Sequence, residues 1–175
     1  QAYLCYEQAE FLCSDFPEKK RLHDIKETIG KRTDFSVRKC AFIILTHNNK
    51  YLIQMCLESI RQHCVPQAYS VVVVDNASTD GTTEWLKQQP DIVLQYNREN
   101  IGFPAGCNSG IRCADSESDI FLLNDDTRMT HNALFWLRMG LYENEHIGAS
   151  GCIANYCGID QLEDVMFDSI EEYQQ

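Results

Sequence analysis

Polar residues whose side-chain oxygens could bind a metal ion or another polar ligand follow three apolar runs of the chain. They occupy residues 46–49, 75–81 and 124–127, and most of them are Asn, Asp, Ser or Thr. Each cluster by itself is also typical of turns and helix caps, where these residue types are common. Their occurrence after three separate runs favours a shared binding site over three unrelated turns.

The cluster at residues 124–127 contains two adjacent carboxylates, Asp125 and Asp126, next to the amide of Asn124. Neighbouring carboxylates repel each other unless a cation lies between them. Oxygen ligands suit Mn²⁺ or Mg²⁺, which complete their coordination shells with water and substrate phosphates. The cluster therefore predicts a divalent metal site.

The charge distribution excludes one class of partner and constrains another. The 175 residues include 15 Lys and Arg against 26 Asp and Glu, and residues 40–175 alone carry a net charge of −12. Such a surface repels nucleic acid, whose binding depends on cationic contacts to phosphate. A phosphorylated ligand would need a metal ion or helix N-termini to supply positive charge.

Hydrophobic periodicity indicates the elements that must position these clusters. Strands are predicted at 41–46, 70–75, 92–96, 120–123 and 147–153, and helices at 51–63, 82–88, 104–113 and 132–142. This alternation predicts an α/β fold, a mostly parallel sheet with helices on both faces. Ligands of such sheets bind at the carboxyl ends of the strands, where the three clusters lie.

The two ends of the chain differ from this alternating core. Residues 3–12 and 18–29 predict two short helices, which form a helical N-terminal segment over 1–38. At the other end, Asp160 and Glu163 form a candidate capping box for an acidic amphipathic helix. Residues 39–175 are then the second predicted domain.

The cysteines and the hydropathy bear on the cellular compartment. Nine cysteines occur singly, without a CxxC pair, which favours reduced thiols in a cytoplasmic protein over a zinc module or a disulfide scaffold. No apolar run approaches the ~20 residues of a membrane-spanning helix, so we expect no transmembrane segment. The chain begins at Gln1 without a signal peptide, and we expect it to be a piece of a longer protein.

Asp75 ends a run of four valines and is expected to face the crevice, where it can accept a hydrogen bond from a base or a ribose. A carboxylate buried there without a ligand would be costly. No GxGxxG sequence follows the first strand and no GxxxxGK[ST] sequence occurs, so the usual phosphate-binding loops are absent from the sequence.

Three runs in this order carry a resemblance to a known family. VVVVDNASTDGT (71–82), NRENIGFPAGCNSGI (97–111) and FLLNDDT (121–127) resemble the nucleotide-sugar half of family 2 glycosyltransferases of the GT-A fold. The closest resemblance is to rhamnosyltransferase-like members, and it covers about residues 40–153.

The resemblance implies roles for individual residues. Thr46 and Asn48 would line the nucleoside pocket, and Asp75 would contact the base or ribose. The residues implied near the diphosphate-sugar are Asn100, Gly102, Ala105 and Asn108.

The stretch 124–126 takes the place of the family's DxD motif, with Asn in the first position. This departure leaves Asp126 as the main metal ligand and Asn124 as a weaker, neutral one. Asp125 would face a ribose hydroxyl or solvent.

Family members also carry an acidic catalytic base well downstream of this motif. Glu163-Asp164 is such a pair, but it follows Asp126 by only 37 residues. We therefore favour the capping box for Glu163 and expect the acceptor half and the base to be missing from this chain.

The expected function is metal-dependent transfer of a hexosyl or deoxyhexosyl group from a nucleotide-diphosphate sugar to an acceptor hydroxyl of a glycan or another molecule, with inversion. The alternative is a catalytically incompetent module that binds a nucleotide-sugar or another partner. A nucleotidyltransferase is disfavoured, since residues 46–50 contain one Lys and no Gly. The residues leave open the base and sugar of the donor, and the acceptor.

Overall fold

The computed structural model describes residues 1–33 and 37–152. Four strands occur in this part of the chain: β1 (Cys40–Thr46), β2 (Tyr69–Asp75), β3 (Val93–Tyr96) and β4 (Asp119–Asn124). The helices of the same ranges are α1 (Ala2–Leu12), α2 (Phe16–Gly30), α3 (Lys50–His63), α4 (Thr82–Leu86), α5 (Phe103–Cys113) and α6 (Ala133–Leu141). The predicted alternation of strands and helices up to α6 is confirmed.

The four strands form one parallel sheet in the order β3-β2-β1-β4. The chain moves outward from β1 to β3 and then returns to the other side of β1. Since such crossovers are right-handed, α3 and α4 cover one face of the sheet and α5 covers the other. This confirms the predicted α/β fold with helices on both faces. Thr46 lies opposite Asp75, and Leu45 opposite Asn124, so the carboxyl ends of the three strands are level.

The central strands are buried because their runs are apolar on both faces. Phe42, Ile44, Val73 and Val74 have essentially no exposed surface, as is typical of parallel strands covered by helices on both sides. α3 contributes a stripe at helical spacing, as predicted; its buried apolar residues are Ile53, Cys56, Leu57 and Ile60.

α5 packs closely on the sheet because two of its residues have no side chain. A Cβ atom on Gly110 would lie 2.5 Å from Cγ2 of Ile43 and 2.9 Å from Cγ2 of Val74. A Cβ on Gly106 would lie 2.4 Å from Cδ1 of Leu45, which is the flexible end of its side chain. The end of the Leu45 side chain can rotate away from an added Cβ at residue 106. The Cγ2 methyls of Ile43 and Val74 cannot rotate away from one at residue 110, because β-branched side chains on buried strands are held in one rotamer.

Gly110→Ala is therefore expected to destabilise the chain. The overpacking costs about 1–3 kcal/mol, and the better helix propensity of alanine offsets ~1 kcal/mol of it. Gly140→Ala in α6 is the matched control, because its Cβ would meet nothing closer than 3.9 Å; that variant should be slightly more stable than the wild type. Urea denaturation measures both. A Gly110→Ala chain as stable as the wild type would show that α5 is packed more loosely than described.

The predicted strand at 147–153 is wrong for the residues that are described, 147–152, which form no strand. Gly148, Ser150 and Gly151 are poor strand formers, and the Ser150 hydroxyl donates to the carbonyl of Leu137 at 2.9 Å. That bond ties the segment to the middle of α6. Ile153, the predicted acidic helix and the capping box at Asp160 and Glu163 lie outside the described residues.

The chain divides into two compact units, and Ser36–Met129 holds the sheet with α3, α4 and α5. The other unit contains α1, α2 and α6. In it Asp15 caps α2 by accepting the N–H of Glu18 at 3.1 Å, and Glu10 pairs with Lys26 at 2.7 Å. Burial raises the pKa of Glu10, but its hydrogen bonds with Lys26 and His23 outweigh burial and lower it below the ordinary value. The predicted boundary between a helical segment over residues 1–38 and a domain over residues 39–175 stays a prediction.

No helix in the described ranges is both long and apolar enough to cross a membrane.

Candidate functional site

Asp125 joins the end of β4 to the end of β1. Its Oδ2 atom accepts the hydroxyl of Thr46 at 2.7 Å and the side-chain amide of Asn49 at 3.1 Å. Both Thr46 and Asp125 are buried. The carboxylate of Asp125 is therefore held inside the fold by two donors.

Asn124 and Asp126, on either side of Asp125, are both exposed. Within the part of the chain that the structure describes, neither side chain makes a hydrogen bond, although the backbone carbonyl of Asn124 accepts the N–H of Thr127 at 3.2 Å. The alternation arises because successive side chains at the end of a strand point to opposite sides. Both carboxylate oxygens of Asp126 and the side-chain oxygen of Asn124 are therefore available to a ligand.

The acidic cluster also affects a buried thiol. Burial, with added repulsion from Asp125 and Asp126, raises the pKa of Cys56 to about 12. The thiol therefore stays protonated at neutral pH and is a poor nucleophile and a poor metal ligand.

Asp75, at the end of β2, has no exposed surface. Its Oδ1 atom accepts the N–H of Ser78 at 3.0 Å, and its Oδ2 atom accepts the hydroxyl of Thr83 in a short hydrogen bond. The carboxylate therefore fastens the loop after β2 to the start of α4. The structure places Asp75 beneath the sheet edge and not on its surface.

The loops after β1 and β2 are tied to each other at the surface. The N–H of Asn48 donates to Ser78 Oγ at 2.9 Å, and Asn48 Oδ1 accepts the N–H of Thr79 at 2.7 Å. Asn48 and Ala77 both have left-handed backbones, with φ of 55° and 65°. Such conformations are uncommon outside glycine and occur where surrounding contacts hold the chain in place.

The loop after β3 is joined to the same edge through Asn76. The side-chain amide of Asn76 donates to Asn100 Oδ1 at 2.8 Å, and Asn100 Oδ1 also accepts the N–H of Gly102 at 3.0 Å. Gly102 is the N-cap of α5 with φ of 79°, a backbone that strains any residue with a side chain. Ala105 and Asn108 lie exposed in the first turns of α5.

The strand ends and the loops that follow them bring most of the sequence-predicted residues to one edge of the sheet. The members at this edge are Thr46, Asn48, Asp75, Asn100, Gly102, Asn124, Asp125 and Asp126. Asn108 lies further along α5. Sequence reasoning did not single out Asn76 or Thr83; Asn76 follows β2 directly, and its position at a strand end was the available signal. The ligand roles of all these residues stay predictions.

The oxygen ligands at this edge of the sheet suit a hard divalent cation, but within the described ranges they come from two residues only, Asn124 and Asp126. Among the described residues, no group of three or more His, Cys, Asp or Glu side chains is arranged to hold a metal ion. Asp126 and Asn124 supply oxygen ligands without competing hydrogen bonds, which is the chemistry that Mg²⁺ and Mn²⁺ prefer. These cations commonly bind through one or two carboxylates with waters and substrate phosphates, so a two-residue set is compatible with them.

Solved structures share the fold. S. aureus TarS 1–349 in complex with UDP superimposes with a TM-score of 0.54 at 22% identity, covering 60% of this chain and 32% of that one. Its complex with UDP-GlcNAc gives 0.51 at 23% identity, covering 60% and 31%. At this identity the likeness shows the fold, and it supports a GT-A-like arrangement.

Sequence relatives cover a similar part of the chain. A Bacillus subtilis protein named uncharacterized glycosyltransferase YfnE is 31% identical over 110 residues, covering 61% of this chain and 28% of the relative. The poly(ribitol-phosphate) beta-glucosyltransferase of Bacillus spizizenii is 30% identical over 104 residues, covering 56% and 16%. The chain thus spans less than a third of the length of these relatives.

The family model of glycosyl transferase family 2 matches residues 41–163. The match includes β1 except its first residue, the other three strands and the three polar strand ends. It covers more than half of the chain, and the protein therefore belongs to glycosyl transferase family 2.

Proposed function

We propose that this chain binds a nucleoside-diphosphate sugar at the carboxyl edge of its sheet and takes part in metal-dependent transfer of a hexosyl or deoxyhexosyl group to an acceptor hydroxyl, with inversion. The observation that carries the proposal is the pair of exposed oxygen ligands, Asn124 and Asp126, at the edge where the other loops converge. Family membership supports sugar transfer in general.

The negative charge of residues 40–175 is the reason that a bound cation would be needed. Residues 40–175 carry a net charge of −12, so a diphosphate would be repelled without a compensating positive charge. Asp126 and Asn124 would hold Mn²⁺ or Mg²⁺ beside the diphosphate. The cation would offset the negative charge of the leaving nucleoside diphosphate.

The other residues bind and orient the donor in this proposal. Thr46 and Asn48 lie near the nucleoside, while Asn100, Gly102 and Asn108 lie near the diphosphate-sugar. Asp75 contributes to base binding through the loop that its carboxylate holds, and Asp125 keeps the end of β4 against β1. Asp126 is then the one carboxylate of the three at the strand ends that is exposed to a ligand.

The comparisons suggest which donors to test first. The TarS structures contain UDP or UDP-GlcNAc, and one relative is named as a beta-glucosyltransferase. Uridine donors of a hexose are therefore the first candidates for this chain, and donors with other bases are tested beside them because the residues leave the base open.

The test is the metal-dependent stabilisation of the chain by nucleotides. UDP, dTDP, GDP and CDP are each added with Mn²⁺, Mg²⁺ or EDTA, and Tm is measured. A ligand at about 100 times its Kd stabilises by roughly 2.7 kcal/mol. Asp126→Ala should abolish the metal-dependent part of the shift and change the stability of the free chain by less than about 0.5 kcal/mol, because the side chain is exposed.

Asp115→Ala is the matched control for this experiment. Asp115 is also exposed, but it lies between α5 and β4, where its side chain accepts only the N–H of Glu117 among the described residues. That variant should keep the full nucleotide shift. A metal-dependent shift that survives in Asp126→Ala would overturn the metal assignment. A wild-type chain that responds to none of the nucleotides would contradict donor binding and favour the interaction module.

A further inference from the structure

Asn76 is buried at the end of β2, with 2% of its surface exposed, and each of its polar atoms makes at least one hydrogen bond. Its backbone N–H donates to the carbonyl of Thr46 at 2.8 Å, and its carbonyl accepts Nδ1 of His47 at 2.8 Å. These two bonds fix Asn76 to the end of β1. The side chain is left to face the loop that follows β3.

The side chain of Asn76 connects to that loop at three points. Its Nδ2 atom donates to Asn100 Oδ1 at 2.8 Å. Its Oδ1 atom accepts the side-chain amide of Asn97 at 3.1 Å and the backbone N–H of Ile101 at 3.2 Å. Asn100 Oδ1 accepts the N–H of Gly102 as well, so the connection continues to the start of α5.

We propose that Asn76 is a positioning residue, which fixes the loop of residues 97–102 against the end of β2 and so sets the places of Asn100 and Gly102 for the donor. The inference rests on the proposed function for the identity of the ligand. The side-chain amide of Asn76 is buried and does not itself contact the ligand in this proposal. Its role is to align the two loops that meet at the site.

The position requires an amide because it must donate and accept at once. A carboxylate of the same size would keep an acceptor for Asn97 and Ile101 but would place an oxygen against Asn100 Oδ1. Asn100 would then have to rotate to donate its own amide, and the N–H of Gly102 would lose its acceptor. Asn76→Asp therefore breaks the connection to α5 with almost no change in volume.

Amide hydrogen exchange on the full chain tests the positioning role directly. In Asn76→Asp, the amides of Gly102 and Gly106 should exchange about tenfold faster than in the wild type, as expected when a hydrogen bond that holds a loop is lost. The amides of Val72 and Val73, in the centre of β2, should not change. Glu99→Gln is the control, since it changes an exposed side chain of the same loop that is not a hydrogen-bond partner of Asn76, and it should leave Gly102 and Gly106 near the wild-type rates.

Equal acceleration at all four amides would mean that Asn76 only stabilises the fold, and unchanged rates at Gly102 and Gly106 would also overturn the proposal. If Asn76→Asp does not fold, Asn100→Ala replaces it, because Asn100 is exposed. Asn100→Ala removes the same acceptor, and it should accelerate exchange at Gly102 and Gly106 while leaving Val72 and Val73 unchanged.

Ligand affinity gives a second readout that a purely structural role would not move. The Kd values of UDP and UMP, and of the corresponding dTDP, GDP and CDP pairs, are compared in the presence of Mn²⁺. Asn76→Asp should raise the Kd of the nucleoside diphosphate about tenfold and that of the monophosphate much less. The reason is that, in the proposed function, the displaced loop lies near the diphosphate. Equal weakening of both would overturn the proposal. If the wild type binds neither, the proposed function fails, and the exchange experiment still decides the role of Asn76.

Discussion

Replacing Asp75 with alanine is expected to lower the free energy of unfolding by about 3 kcal/mol. The carboxylate has no exposed surface, and it accepts hydrogen bonds from the Ser78 N–H and the Thr83 hydroxyl. Hydrogen bonds to a charged group contribute roughly 1.5–3 kcal/mol each, and a buried donor that loses its acceptor adds a desolvation penalty. Thr83 is itself buried, so water cannot readily replace the carboxylate.

Asp75→Asn separates a structural role from a direct role in binding. An amide can still accept from Ser78 and donate to Thr83, so this variant should lose only about 1–2 kcal/mol. If Asp75 acts by holding the loop, Asp75→Asn keeps most of the nucleotide shift. Asp115→Ala, an exposed aspartate with one hydrogen bond, serves as the control for stability and should cost less than about 1 kcal/mol. Denaturation in urea gives all three values. An Asp75→Ala chain as stable as Asp115→Ala would contradict the buried role.

Replacing Arg138 with methionine is expected to cost about 3–5 kcal/mol. Nη1 of Arg138, on α6, lies 2.5 Å from Oε2 of Glu7, on α1, and their side chains are only 6% and 8% exposed. Removing the arginine leaves the Glu7 carboxylate buried without that compensating charge, which is a strongly destabilising change. The measurement is again the free energy of unfolding at neutral pH.

A double-mutant cycle shows whether the pair or the bare charge is responsible. In Glu7→Met with Arg138→Met, both charges are absent, and two well-packed apolar side chains can be close to neutral in stability. The double variant should therefore be more stable than Arg138→Met by about 2 kcal/mol or more. Additive costs of the two single changes would refute a direct interaction between Glu7 and Arg138.

Most of the fold could be predicted because its signals are local. Buried parallel strands appear as short β-branched runs, and Val71–Val74 fall in such a run within β2. The stripe on α3 has helical spacing, and it contacts the core as predicted. The strand predicted at 147–153 is wrong for its described residues. A segment of small residues beside a helix can make a hydrogen bond to that helix, as Ser150 does, instead of joining the sheet.

The candidate site could be predicted as a location but not as a set of roles. Polar residues at the ends of parallel strands must share one edge, and that rule located Thr46, Asp75 and Asp126 from sequence. Which carboxylate faces a ligand depends on donors that are distant in the chain. Asp125 is engaged by Thr46, which precedes it by 79 residues, and Asp126 is not.

The sequence by itself determined the order of the elements, the edge of the sheet at which polar groups collect, and the resemblance to family 2 glycosyltransferases. Only the tertiary structure decided that Asp75 and Asp125 are buried and hydrogen-bonded, that Asp126 and Asn124 are exposed, and that Asn76 joins three loops. The physical reason is the range of the interactions. Periodicity and strand ends are properties of neighbouring residues, whereas burial and hydrogen-bond partners depend on which distant segments the folded sheet brings into contact.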